Sequence, residues 1–251
     1  MSSSILLLIP GFTVPAVVSG GRSSSTVNCT DWRTTVDLYG ARLFMIGDRV
    51  FQFPKTMQQL EETVCPRLTE AGEQLKDVMK ACLKPFPKTV AGMITRGARK
   101  VNRADCNVQK EKEAFVQKLA CMQPRAHIDE LHEVVDKFTV KLSVIKRSVP
   151  DDKKIDVTCC EYLKTKRAIE ESVQSHCPAE SVSFTMGLVD GMLQEAVDFL
   201  CSQYLRDGSK CLPLLAAHPA TVRPEDKKEG LSFMLPLIDV LTAAAGSSPD
   251  A

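Results

Sequence analysis

Apolar residues recur along most of the chain with the three-to-four-residue spacing of amphipathic helices. Four stripes follow this spacing, in residues 32–46, 57–82, 128–145 and 189–204. Prolines separate the stripes, and Gly208 follows the last of them, as expected at helix ends. No comparable stretch alternates apolar and polar residues with a period of two, which would indicate strands. The pattern therefore predicts an all-α fold.

The cysteines repeat with a fixed spacing. Cys65, Cys82 and Cys106 are separated by 17 and 24 residues, and so are Cys160, Cys177 and Cys201, at an offset of 95. Each half has one further cysteine, Cys121 or Cys211. We interpret the spacing as a duplication of a four-cysteine helical module. The alternative is coincidence among ten cysteines, because few other residues match between the halves.

This interpretation predicts a disulfide-stapled helical bundle of two tandem related modules joined by a long helix. The predicted organisation is a signal peptide at 1–20, an N-terminal helical segment at 21–64, a first module at 65–125, a connecting helix at 126–158, a second module at 159–215 and a tail at 216–251.

The modules limit the disulfide pairing. One helix from Cys65 to Cys82 would hold these residues roughly 25 Å apart, which is beyond disulfide reach. Three helices that run up, down and up would instead bring alternate cysteines together. The pairs expected from this arrangement are Cys65–Cys106, Cys82–Cys121, Cys160–Cys201 and Cys177–Cys211, which leaves Cys29 to pair with Cys159.

The same cysteines indicate the compartment. The chain has ten cysteines but no CxxC pair, so zinc motifs are disfavoured and disulfides in a secreted protein are favoured. Residues 5–18 are apolar and precede Val18-Ser19-Gly20, which suits a signal peptidase, although the first four residues lack a basic side chain. A disordered or buried N-terminus is the alternative. Asn28 begins a glycosylation sequon, but oxidation of Cys29 within it would leave Asn28 unmodified.

Charge and motifs exclude several functions. The chain has 32 basic and 31 acidic residues and a single Trp, so a nucleic-acid surface is not expected. His127 and His132 are five residues apart, which does not place two metal ligands on one helix face. No GxSxG, P-loop or GxGxxG motif occurs. We therefore expect a non-enzymatic protein without catalytic residues, cofactor or metal.

The C-terminal tail contains an apolar stretch at residues 231–245. Such a stretch is compatible with the discarded tail of a lipid-anchor signal. Asp239 and the polar ending favour an amphipathic or disordered end instead. No other membrane association is expected.

Residues 29–215 contain Cys82, the Cys159-Cys160 doublet, Cys177 and the segment CSQYLRDGSKC. In these features the chain resembles a group of arthropod secreted proteins, the haemolymph glycoproteins and related cysteine-rich helical domains of unassigned function. The resemblance implies an extracellular, helical, non-enzymatic protein, and it assigns no catalytic or binding residues.

Three functions follow as hypotheses. The first is an extracellular carrier of a small apolar ligand or lipid, with Met186 and Met192 lining an adaptable cavity, although plain core packing also explains these methionines. The second is a structural or interaction component of haemolymph, cuticle, silk or venom, with an unknown protein partner. The third is an enzyme of unrecognised type.

Overall fold

The computed structural model describes Val27 and residues 29–219, 221–229 and 232–246. In these residues every regular element is a helix, which confirms the predicted all-α fold stapled by disulfides. The α-helices are α1 (Trp32–Leu43), α2 (Met57–Gln59), α3 (Cys65–Cys82), α4 (Pro85–Asn107), α5 (Gln109–Lys118), α6 (Arg125–Ser148), α7 (Lys154–Gln174), α8 (Ala179–Arg206), α9 (Cys211–Ala217), α10 (Pro224–Glu229) and α11 (Leu235–Ala245). The predicted signal peptide and Asn28 lie outside the described residues.

The four apolar stripes lie in helices. They correspond to α1, to α2 and α3 with the π-helical turn Leu60–Val64 between them, to α6 and to α8. Prolines begin helices as well as end them, because a residue in the first turn needs no amide donor. Pro85 is the first residue of α4, and Pro178 is the N-cap of α8.

Five disulfides join the helices, and all ten cysteines take part. The pairs are Cys29–Cys82, Cys65–Cys106, Cys121–Cys177, Cys159–Cys201 and Cys160–Cys211. Their Cα atoms lie between 5.2 and 5.7 Å apart, within the usual range for disulfides. Only Cys65–Cys106 is a pair that the spacing predicted.

The expected pair Cys82–Cys121 is wrong because the third helix of the first module is short. The 18 residues of α3 span about 27 Å, whereas the 10 residues of α5 span only about 15 Å. The chain therefore does not return along α5 to the end of α3 that holds Cys82. Cys29, just before α1, occupies that place instead.

The expected pairs Cys160–Cys201, Cys177–Cys211 and Cys29–Cys159 are also wrong. Neighbouring residues on a helix point about 100° apart, so Cys159 and Cys160 reach different partners. Cys159 bonds Cys201 at the end of α8, and Cys160 bonds Cys211 at the start of α9. Cys177 bonds Cys121, which contradicts the assumption that each module closes its own bridges.

The observed bridges form a different repeat. In α1, α3 and α4, one bridge joins the residues before the first helix to the end of the second, and another joins the second helix to the end of the third. In α6, α7 and α8 the bridges Cys121–Cys177 and Cys159–Cys201 follow the same scheme. The sequence separations are 53 and 41 residues in the first set and 56 and 42 in the second. The bridges thus group the helices into two three-helix units at 29–107 and 121–206, whose bounds differ from those of the predicted modules at 65–125 and 159–215.

The two units meet where α4 crosses α8. A Cβ atom added at Gly97 would lie 2.2 Å from the carbonyl oxygen of Met192, and one at Gly191 would lie 2.7 Å from Val101. Gly97 and Met192 are equivalent under the offset of 95, so the units contact each other through the same part of their third helices. This resembles an isologous contact between two copies. Gly191 lies within α8, where the absence of a side chain allows the close packing.

The C-terminal helix α11 completes the core. Ile238 and Leu241 are buried, and Asp239 accepts hydrogen bonds from Arg33 of α1 and Lys146 of α6. Burial opposes ionisation of Asp239, but these hydrogen bonds outweigh it, so the pKa of Asp239 lies below its ordinary value. Residues 235–245 of the tail therefore form a helix that is held by apolar packing and ion pairs.

A peptide map without reduction tests the bridge scheme. We expect fragments that link Cys121 to Cys177 and Cys29 to Cys82, and a species in which the Cys159-Cys160 peptide carries both Cys201 and Cys211. Alkylation before digestion should label no cysteine. A fragment that joins Cys82 to Cys121 would contradict the two-unit scheme.

Replacement of Gly97 tests the helix crossing. We expect Gly97→Ala to lower the free energy of unfolding by about 1–3 kcal/mol, because backbone atoms of α8 must move away from the added methyl group. Gly187→Ala is the matched control in α8, where no atom lies within 4 Å of the added Cβ. It should stabilise the protein by about 0.5–1 kcal/mol through helix propensity. Thermal unfolding of both variants measures the difference, and equal effects would contradict the close crossing.

Candidate functional site

A large apolar cavity lies between the two units. Its volume is about 210 Å³, larger than an engineered cavity of roughly 150 Å³ that stays dry and binds benzene. α4 contributes Val90 and Ile94, and most of the wall comes from α6, α7 and α8. Phe233 and Met234 and the adjoining helix α11 line another side. Helices from both units and the C-terminal helix thus line one shared space.

The cavity wall is uncharged. Within the described residues, no Asp, Glu, Lys, Arg or His lines it. The polar groups of the wall are hydroxyls, carried by Thr139, Thr158, Tyr162, Thr165 and Thr185. Because a buried charge without a partner is costly, this wall suits an apolar and uncharged molecule.

Most of the threonine hydroxyls are already satisfied by the helices that carry them. Thr165 donates to the carbonyl oxygen of Glu161 at 2.8 Å, and Thr185 donates to that of Ser181 at 2.9 Å. Thr158 differs, because its buried hydroxyl has no hydrogen-bond partner. This residue is only 7% exposed. An unmade hydrogen bond of this kind costs free energy unless another group occupies the site.

Tyr162 lies one helical turn after Thr158, on the same face of α7. Burial and the nearby carboxylate of Asp190 raise the pKa of Tyr162 well above its ordinary value, so its phenol stays protonated. Asp190 itself forms an ion pair with Lys166. Thr158 and Tyr162 therefore line the cavity from adjacent turns of α7, and both carry neutral hydroxyls.

The turn after α1 adds a strained backbone to the wall. Met45 has a φ of 57°, the left-handed conformation that glycine usually adopts after a helix. A non-glycine residue in this conformation costs about 1–2 kcal/mol. Met45 and its neighbours Phe44 and Ile46 line the cavity, and Met45 is 3% exposed. Packing of these side chains against the core holds the turn in place.

The structure separates the two methionines that the sequence proposed as lining residues. Met192 lines the cavity and also contacts Gly97 through its backbone. Met186 packs against the core but does not line the cavity. The sequence analysis did not identify Thr158 and Tyr162 as candidate site residues, because this depends on a missing hydrogen bond and on a neighbouring void. Their spacing of four residues among apolar neighbours of α7 was the only available signal.

The histidines lie outside the cavity wall. His127 and His176 stack with ring centroids 3.8 Å apart, beside the Cys121–Cys177 bridge. His176 contacts Glu130 at 2.8 Å, and His127 contacts the carbonyl oxygen of Cys121 at 2.8 Å. His132 is buried. Burial is the main cause that lowers the pKa of His132, and the charges of Arg49 and Arg125 lower it further.

The carboxyl of Asp105 is buried away from the cavity. Asp105 in α4 is 4% exposed, and one of its oxygens has no hydrogen-bond partner. Burial, followed by repulsion from Glu111, raises the pKa of Asp105 to about 7. The folded state therefore binds a proton more tightly than the unfolded state does.

The described residues contain no cluster of three or more His, Cys, Asp and Glu side chains that could hold a metal ion. Among the same residues, no helix combines the length and hydrophobicity needed to cross a membrane.

Comparison with known proteins adds no relative. No protein-family model matches the chain, and no curated protein and no solved structure matches it. The resemblance to the haemolymph glycoproteins therefore stays a prediction.

The raised pKa of Asp105 predicts how stability depends on pH. The stabilising effect of its protonation is complete below about pH 4 and is lost as the pH rises through about 7. Asp105→Asn should change the free energy of unfolding more favourably at pH 8 than at pH 4, and we expect the difference to be roughly 2–4 kcal/mol. Chemical denaturation at both pH values measures this difference. Asp77→Asn, which replaces an exposed carboxylate of α3, is the control. Equal effects of Asp105→Asn at both pH values would contradict the raised pKa.

Proposed function

We propose that the protein is a secreted, non-enzymatic carrier that binds a small apolar ligand in the cavity between its two three-helix units. The observation that supports this proposal is the uncharged wall around about 210 Å³ of space. Protein interiors are normally packed to the density of organic crystals, with few voids larger than a water molecule. A void of this size lowers stability, so it favours a binding function over plain core packing.

The bridges make such a void tolerable. Cys159–Cys201 forms part of the cavity wall, and Cys121–Cys177 joins the residues before α6 to the loop between α7 and α8, the helices that provide most of the remaining wall. A disulfide stabilises a protein by typically 2–4 kcal/mol, mainly by restricting the unfolded chain. This stabilisation offsets the dispersion contacts that the residues around the void do not make.

The disulfides also support the extracellular part of the proposal. All ten cysteines are paired, which indicates that the protein folds in an oxidising environment. Oxidising environments include the secretory pathway and extracellular fluids. This agrees with the signal peptide that the sequence predicts at residues 1–20.

Binding of a neutral apolar dye tests the function. We expect N-phenyl-1-naphthylamine to bind the oxidised protein with a rise in fluorescence, and Ala196→Leu to weaken binding at least tenfold. Ala196 is 3% exposed and lines the cavity, so the larger side chain fills part of the space. Native mass spectrometry of gently purified protein should also show a co-purified apolar molecule.

Ala217→Leu is the matched control, because Ala217 is exposed on α9 and does not line the cavity. This variant should bind the dye as the wild type does. Near-ultraviolet circular dichroism establishes that both variants keep their tertiary packing. Absence of dye binding, together with a stable protein partner in a pull-down, would contradict the carrier and support the interaction component instead.

A further inference from the structure

We propose that the ligand is an uncharged lipid with a single oxygen function, such as a long-chain alcohol, aldehyde or ester, whose oxygen binds between the hydroxyls of Thr158 and Tyr162. This inference rests on the proposed carrier function and adds the chemical class of the ligand. It follows from the hydrogen-bonding state of the wall and from the distribution of charge around it.

The first step concerns the free hydroxyl. Thr165 and Thr185 use their hydroxyls to bond carbonyl oxygens four residues earlier in their own helices. Thr158 makes no such bond, although its hydroxyl is buried. A threonine hydroxyl turns about one side-chain bond and both donates and accepts, so it can serve an alcohol, a carbonyl or an ester oxygen. A ligand oxygen would satisfy a group that the folded chain leaves unsatisfied.

The second step concerns the neighbouring phenol. Tyr162 lies four residues after Thr158 and lines the same cavity. No hydrogen bond joins its hydroxyl to another described residue. Since this phenol keeps its proton, it is a donor to a ligand oxygen. The two residues together form one small polar site, because the other hydroxyls of the wall, those of Thr139, Thr165 and Thr185, already have partners.

The third step excludes a charged head group. No cationic side chain lines the cavity in the described part of the chain, so a carboxylate would be buried without a counter-ion. The nearby Lys166 is already paired with Asp190. The negative charge of Asp190 acts on Tyr162 and opposes a second negative charge beside it. A fatty acid in its ionised form therefore fits the site less well than the corresponding alcohol.

Displacement of the bound dye by three ligands of equal chain length tests the ligand class. We expect 1-octanol to displace N-phenyl-1-naphthylamine from the wild type at least tenfold more effectively than octanoate at pH 7.5. Octanoate that competes as well as 1-octanol would overturn the uncharged class. Octane measures the apolar contribution alone, because it has no oxygen.

Thr158→Val tests the polar site. The substitution keeps the shape of the side chain and removes the hydroxyl, and we expect it to weaken 1-octanol binding about three- to tenfold while leaving octane binding unchanged. Thr185→Val, which removes a hydroxyl that already has a partner, is the matched control and should leave the preference for 1-octanol over octane unchanged. The melting temperature of the ligand-free Thr158→Val variant should not fall, because its hydroxyl makes no hydrogen bond.

The outcomes separate this inference from the carrier function. Unchanged 1-octanol affinity in Thr158→Val would overturn the polar site, while continued displacement of the dye by octane would leave the carrier function standing. Failure of the wild type to bind the dye at all would overturn both.

Discussion

Four disulfides clamp two sets of three helices in the same way, and the rest of the structure depends on this constraint. In each set the end of the second helix is bonded to the residues before the first, and the end of the third helix is bonded to the second. The helices are thus held in place by covalent bonds, and dense packing is not needed at every contact. Cys160–Cys211 adds α9 to the second set.

Close contact at one place leaves space at another. At Gly97 and Gly191 the helices α4 and α8 approach until no side chain fits between them. Farther along the same helices, Ile94, Thr185 and Val197 line the cavity. Helices that cross at an angle must diverge on either side of the closest point, and the space between them is filled by other elements or remains empty. Here α11 fills part of it, held by the ion pairs of Asp239.

The side chains on the cavity-facing sides of the helices determine the chemistry of the cavity. The charged residues of α6, α7 and α8 lie on other faces, where Arg147 bonds Asp226 and Lys166 bonds Asp190. Among the described residues the wall has apolar side chains and a few hydroxyls, of which only that of Thr158 is buried without a partner. In the proposed carrier, binding and the choice of ligand depend on different features: the void would provide the free energy of binding, and Thr158 with Tyr162 would provide the preference for an oxygen.

The sequence by itself determined the helices and the oxidation of the cysteines, because a 3.6-residue period and an even, motif-free set of cysteines are local or compositional properties. It also predicted Cys65–Cys106, since a bridge between the far ends of two successive antiparallel helices depends mainly on helix length. Only the tertiary structure decided the other four pairs, since Cys29 and Cys121 find their partners across distances that depend on the packing of whole helices. The same holds for Thr158, whose neighbours along the chain do not reveal that a void lies beside it and that its hydroxyl lacks a partner.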